Sequence, residues 1–236
     1  MCPQDEDDGV AAWEVLGFEQ HGTLGIRASG DAERLFVQIV VGEFGPAAAD
    51  YPILFAKSPE TGRFYAGALL RLQPGDDANL DESGRLRGYR PADLEREGFF
   101  VEQDRIVIDR ELPMFVDGSG APLFEGDGVQ SAALQRVQRA LGRLHAGLPA
   151  TDAFIARLLE RSLLEPIDID LRFDDGTRFR LEDLYTISAD AVAALPDATV
   201  LAMFHEGDLA ACYTQIQSVR QIARMARVRN DRLAGA

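Results

Sequence analysis

Cysteine is nearly absent from this 236-residue chain, which has Cys2 and Cys212 and no Cys-x-x-Cys spacing. That excludes a disulfide scaffold and a cysteine zinc site, and makes a reducing compartment the expectation. Histidine is as scarce. His21, His145 and His205 lie far apart and form no H-x-x-x-H or H-x-D pair, so no metal site is expected. No run of about 18 apolar residues occurs, and the N-terminus has neither the basic nor the apolar segment of a signal peptide. No membrane insertion and a cytoplasmic location are therefore expected. The glycine-rich phosphate loops and the G-x-S-x-G serine elbow are also missing, so no nucleotide or other cofactor is expected. Positive charge is short: 24 basic against 39 acidic residues give a net charge of -15. Such a body repels phosphate backbones and anionic lipid, which argues against nucleic acid as a partner. Lysine is reduced to Lys57, and the other basic residues are arginine.

What is present suffices for a folded core. Hydrophobic residues make up 46% of the chain, and a chain of this length buries about 70% of its unfolded surface. Residues 1–10 are expected to form a disordered acidic tail, and 11–236 a single domain, strand-rich over 11–127 and helix-rich over 128–236. Trp13 to Ile26 reads as a strand pair or a strand with an irregular turn. Leu35–Val41 and Arg63–Leu72 read as strands, and Tyr51–Phe55 as an extended segment. Phe99–Glu102 and Arg105–Asp109 flank a Gln103-Asp104 turn. Breaks are expected at Pro74–Asp77 and Asp117–Gly120. Leu134, Val137, Leu141 and Leu144 form a helical stripe that Gly147 and Pro149 should end, with Thr151-Asp152 capping a second helix to Leu163. Ile167–Leu171 and Thr177–Leu181 read as a hairpin on an Asp-Gly turn. Ser188, Pro196 and Gly207 punctuate two further helices, and Leu209–Arg229 reads as one long last helix. The fold class is α+β: an antiparallel, partly barrel-like N-terminal sheet, then a helix-rich C-terminal half carrying a small β-hairpin.

Glu43-Phe44, Ala47-Ala48-Ala49 and Asp50-Tyr51-Pro52-Ile53-Leu54-Phe55 follow one another closely. Gly88-Tyr89-Arg90-Pro91, Pro122-Leu123-Phe124, Leu163-Leu164-Glu165-Pro166, Leu184-Tyr185, Leu195-Pro196-Asp197 and His205 with Gly207 come after them in order. The series resembles the SapC family of bacterial proteins over roughly residues 35–225. The resemblance carries no catalytic residues. It implies an accessory protein, since the family is named for a protein linked with surface-layer protein export, and it implies a peptide or protein client, with a modifying enzyme as a further partner. The chain departs from the family pattern at Leu86-Arg87, where an aromatic residue is usual.

The matched residues also suggest chemistry. Glu43 can complement the N-terminal dipole of a short helix after it, and Tyr51 can pack on the sheet ahead of Pro52. Glu43, Tyr51, Arg90 and Tyr185, with His205, are the candidate binding residues of one cleft. Tyrosine offers contact area at low entropy cost, and arginine offers a fork for carboxylate. Arg220, Arg224 and Arg227 form a basic interaction face on the last helix. The leading expectation is a non-catalytic, client-binding protein. The rivals are a peptide-modifying enzyme with Glu43, Tyr51 and His205 as acid and base, and a homodimerisation module built on the last helix.

Overall fold

The computed structural model describes residues 13–27, 34–73, 76, 79–82 and 84–235. The expected acidic tail, Cys2 and, apart from Asp76, the break at Pro74–Asp77 lie outside the described residues. In chain order the elements begin with β1 (Trp13–Val15), α1 (Phe18–His21), β2 (Leu24–Ile26) and β3 (Phe36–Gln38). A 3-10 turn (Val41–Glu43) then runs into α2 (Phe44–Ala48), followed by β4 (Ile53–Lys57) and β5 (Phe64–Leu69). Next come α3 (Ala92–Glu95), β6 (Phe99–Glu102), β7 (Arg105–Asp109), β8 (Phe115–Asp117), β9 (Ala121–Pro122) and α4 (Ala132–Glu160). The chain ends with β10 (Leu164–Arg172), β11 (Arg178–Ile187), α5 (Ala189–Ala193), α6 (Asp197–Glu206), α7 (Asp208–Ser218) and α8 (Gln221–Gly235). Two compact units result, one from Met1–Ser29 with Glu95–Gly142 and one from Gly30–Leu94 with Arg143–Ala236.

The first unit holds two small antiparallel sheets, ordered β1-β7-β6 and β8-β2-β9. The β6–β7 hairpin turns on Gln103 and Asp104, both at positive φ (46° and 62°). That backbone suits the twist of a two-residue hairpin. Its core sets Leu24, Phe99, Ile108, Phe115 and Leu123 against Leu134, Val137 and Leu141 at the start of α4. The strand pair expected over residues 13–26 is instead two strands in different sheets, separated by α1.

The second unit is built on a five-stranded antiparallel sheet, β10-β11-β4-β5-β3. β4 reads Ile-Leu-Phe-Ala because both its faces are covered. Ile53 and Phe55 join a cluster with Phe44, Ala66, Ala68, Phe154 and Leu158. Leu54 and Ala56 join another with Leu69, Leu184, Ile222 and Met225. All three sheets are open. The expected barrel-like character is thus corrected: closure needs an unbroken ring of strand pairing, and the strands of the first unit are two to five residues long.

Two helix boundaries differ from the sequence reading. α4 continues through Gly147 and Pro149 to Glu160. Gly147 is there for close approach, since a Cβ would collide with Val40. Thr151 caps no second helix: its Oγ1 donates to the Gly147 carbonyl at 2.7 Å and accepts the Val41 amide at 2.8 Å. Packing of Phe154, Ile155 and Leu158 in the core outweighs the helix-breaking tendency of Pro149. The expected last helix is two helices, because Ser218 interrupts it. Its Oγ donates to the Gln215 carbonyl at 2.6 Å and accepts the Ile53 amide at 2.9 Å. The Val219 amide turns to Ile216 instead.

Gln215 completes the attachment of α7 to the sheet. Its Nε2 donates to the Ile53 carbonyl (2.7 Å) and to Thr186 Oγ1 (3.0 Å), and its Oε1 accepts the Ile187 amide (3.0 Å), all without solvent exposure. Gln215→Leu keeps the volume but strands these groups on β4 and β11. A loss of about 2–4 kcal/mol is expected, read as a lower urea midpoint at unchanged m-value. A midpoint equal to wild type would show the stitch to be dispensable.

Candidate functional site

α2 is five residues long with Pro46 in its first turn, where a missing amide costs nothing. Glu43 stands just before it and is completely buried. The expected dipole cap on α2 is not what this carboxylate does, because it makes no side-chain bond to that helix. Its Oε2 accepts the Val40 amide at 3.1 Å, within the preceding 3-10 turn. Its Oε1 reaches the 89–92 loop, where it accepts the Tyr89 hydroxyl at 2.7 Å and the Ala92 amide at 2.8 Å. Arg143 Nη1 lies 3.9 Å from the same oxygen and donates to the Tyr89 hydroxyl at 3.0 Å. Burial first, and then the hydrogen bond and charge of Glu43, push the Tyr89 hydroxyl well above the ordinary tyrosine value. Arg143 offsets part of that shift.

The other end of α2 borders a cleft of about 370 Å³. Asp50 and Tyr51 form one wall, with Tyr51 almost wholly buried. Arg87 and Gly88 form a second, and Arg224, Val228 and Arg232, four residues apart on one face of α8, form the third. Gly88 is required by close approach, since a Cβ would run into the Asp50 carboxylate. That carboxylate accepts the Tyr89 amide at 2.7 Å, so the cleft wall and the Glu43 lock share one loop. Arg224 is held on three sides. Its Nε donates to Gln221 Oε1 (2.6 Å), and its Nη2 donates to the Asp50 carbonyl (2.7 Å) and Asn79 Oδ1 (3.2 Å). Arg87 Nε donates to the Leu80 carbonyl at 2.5 Å. Among the described residues neither arginine has a carboxylate within ion-pairing distance.

Charge separates this cleft from two others. Among the described residues, three arginines and one aspartate line it. A cleft of about 550 Å³ beside β3 has Glu60 and Asp152 against Arg63, with Arg63 paired to Asp152 at 2.8 Å. A cleft of about 390 Å³ beside α7 has Glu206 and Asp208 against Arg157, which grips Asp208 through two bonds of 2.6 and 2.7 Å. Of the three, the first alone has, among the described residues, guanidinium groups (those of Arg87 and Arg224) with no carboxylate at ion-pairing distance.

Of the residues singled out from the sequence, Tyr51 and Arg224 line the cleft, and Glu43 lies behind it through the 89–92 loop. Arg90 donates to the Leu94 carbonyl at 3.2 Å. Tyr185 lies on β11, edge-on to Phe64 at 4.8 Å with Lys57 over its ring. His205 is exposed on α6 beside Phe204. Arg220 falls in the break between α7 and α8 and donates to Gln217, and Arg227 is exposed on α8. Sequence reasoning missed Asp50, Asn79, Arg87 and Arg232. The spacing of four from Arg224 through Val228 to Arg232 was a usable signal for the last of these. Arg87, in a loop, had none.

The raised Tyr89 hydroxyl fixes a pH dependence. The unfolded chain releases this proton near pH 10, where the native state still keeps it. Stability is therefore complete below about pH 10 and falls as pH rises further. Tyr89→Phe should flatten, without abolishing, the decline in urea midpoint between pH 9.5 and 11, because Tyr65 and Cys212, both raised first by burial, keep contributing to it. A slope unaltered by Tyr89→Phe would show the coupling to be absent.

The SapC family model matches residues 16–225 of the chain. No curated protein and no solved structure matches it. With the match spanning most of its 236 residues, the chain belongs to the SapC family.

Proposed function

We propose that this SapC-family chain is a non-catalytic accessory protein that binds an acidic segment of a peptide or protein client, seating one carboxylate between Arg224 and Arg87. The observation that carries this reading is that Arg224 and Arg87 have, among the described residues, no carboxylate at ion-pairing distance, in a cleft of a protein whose net charge is -15. Arginine presents a planar fork that matches a carboxylate on two bonds. Tyr51 and Val228 supply the apolar backing. At about 370 Å³ the space suits one or two side chains, so it reads a local feature of an extended client rather than engulfing it.

The acidic body does not oppose such a client at contact. The screening length at physiological salt is about 8 Å. A carboxylate hydrogen-bonded to Arg224 is governed by the arginines around it, while the distant acidic surface is damped. The same surface repels acidic segments that do not reach the cleft, which sharpens selection. The enzyme reading has less support, because none of the three clefts is lined by Glu43, Tyr51 and His205 together.

Fluorescence anisotropy with a labelled peptide of alternating glycine and glutamate tests the proposal. Saturable binding is expected, weakened at least tenfold by Arg224→Glu and by Arg87→Glu and changed less than twofold by Arg227→Glu. Melting temperatures of the variants guard against unfolding. Absence of saturable binding, or equal affinity in folded cleft variants, would overturn it.

A further inference from the structure

α6 is a helix with too few polar residues for its position. Between Asp197 and His205 its sequence, Ala-Thr-Val-Leu-Ala-Met-Phe, carries no charge. A helix with apolar residues all round belongs in an interior, yet Met203 is its sole buried residue. Leu201 is 58% exposed and Phe204 66% exposed. Helical spacing puts Asp197, Ala198, Leu201, Phe204 and His205 on one outward face, opposite Thr199, Val200 and Met203.

We infer that this face is the contact between two copies of the chain, packed as antiparallel α6 helices about a twofold axis at Leu201. The pattern around Leu201 argues for a second copy over an unrelated protein, because it is complementary to its own reversal. In that arrangement each residue before Leu201 meets the residue as many steps after it on the other copy. Asp197, four before, meets His205, four after, so the carboxylate accepts a hydrogen bond from the imidazole at both ends. Ala198, three before, meets Phe204, three after, so the smallest side chain on the face lies opposite the largest and leaves room for the ring. Leu201 meets Leu201. A ten-residue helix is about 15 Å long, and such a contact lies at the small end of specific interfaces. The two bodies also carry -15 each. The dimer is therefore weak, with a dissociation constant of roughly 10–100 μM. The inference is independent of the arginine-lined cleft, which uses α8.

Sedimentation equilibrium of the full chain from 5 to 500 μM tests it. A monomer–dimer equilibrium is expected. Phe204→Asp and Ala198→Arg, both at exposed positions, should leave monomer throughout, with melting temperatures near wild type. Asp197→Arg should weaken the dimer at least fivefold, and adding His205→Asp should restore it to within twofold. A wild-type chain that stays monomeric at 500 μM overturns the inference, whether or not it binds other proteins. So does a dimer that survives Phe204→Asp, or one that the double charge exchange fails to rescue.

Discussion

A carboxylate with no access to water has to be answered by donors, because an ionised group left alone in an interior costs several kcal/mol. Glu43 is that carboxylate, and the arrangement around it follows from the need. Its oxygens take one amide from its own turn, one amide from the start of α3 and the hydroxyl of Tyr89. The 89–92 loop is thereby fixed against the front of α2. With Tyr89 fixed, its amide reaches Asp50 at the far end of the same helix, and Gly88 presses on that carboxylate. Arg87 is the next residue, and it projects beside the cleft. The cleft wall is thus set by an interaction outside the cleft. Preorganisation of this kind keeps the ordering cost out of the binding step.

The second constraint is the covering of β4 on both faces. A central strand with apolar residues at its first four positions leaves no polar side chain there to orient a helix above it, so orientation comes from backbone groups at that end. Gln215 and Ser218 take the amide and carbonyl of Ile53, at the first position of the strand. Ser218 cannot do so and leave its helix intact, because the same hydroxyl takes the Gln215 carbonyl. The break between α7 and α8 is the consequence. It redirects the chain so that α8 brings Ile222 and Met225 to the opposite face of the sheet, and its next face, with Arg224 and Val228, to the cleft.

This division explains which parts of the structure were legible in the sequence. The Gln103-Asp104 hairpin, the Asp174–Thr177 turn, the Ser188 cap, the start after Pro196 and the positive φ of Gly207 obey rules satisfied within four or five residues. They stand where those rules put them. Pro149, Thr151 and Ser218 carry the same local signals, yet the outcome there is set by partners more than 100 residues away: Val41 for Thr151 and Ile53 for Ser218. No local rule contains those partners. The site divides in the same way. Tyr51 and Arg224 fall in recognisable segments, while Arg87 reaches the cleft through the Glu43 lock, a contact spanning more than 40 residues.

The near-total use of arginine in place of lysine has a reading in these contacts. Several guanidinium groups of this acidic protein pair with a carboxylate, and some do so through a fork or over a flat face. Arg157 holds Asp208 with two bonds while Glu206 and Arg161 crowd the same corner. Arg229 lies 3.9 Å over the Phe173 ring and 3.7 Å from Asp175. An ammonium, which lacks the planar fork, could not reproduce the two-bonded grip on Asp208. Arg224 and Arg87, two of the three arginines at the cleft, differ from these. Arg224 and Arg87 are held by carbonyl and amide oxygens, which fix position without cancelling charge. Holding a guanidinium rigid with neutral acceptors keeps its charge available to an anion that is not part of the fold.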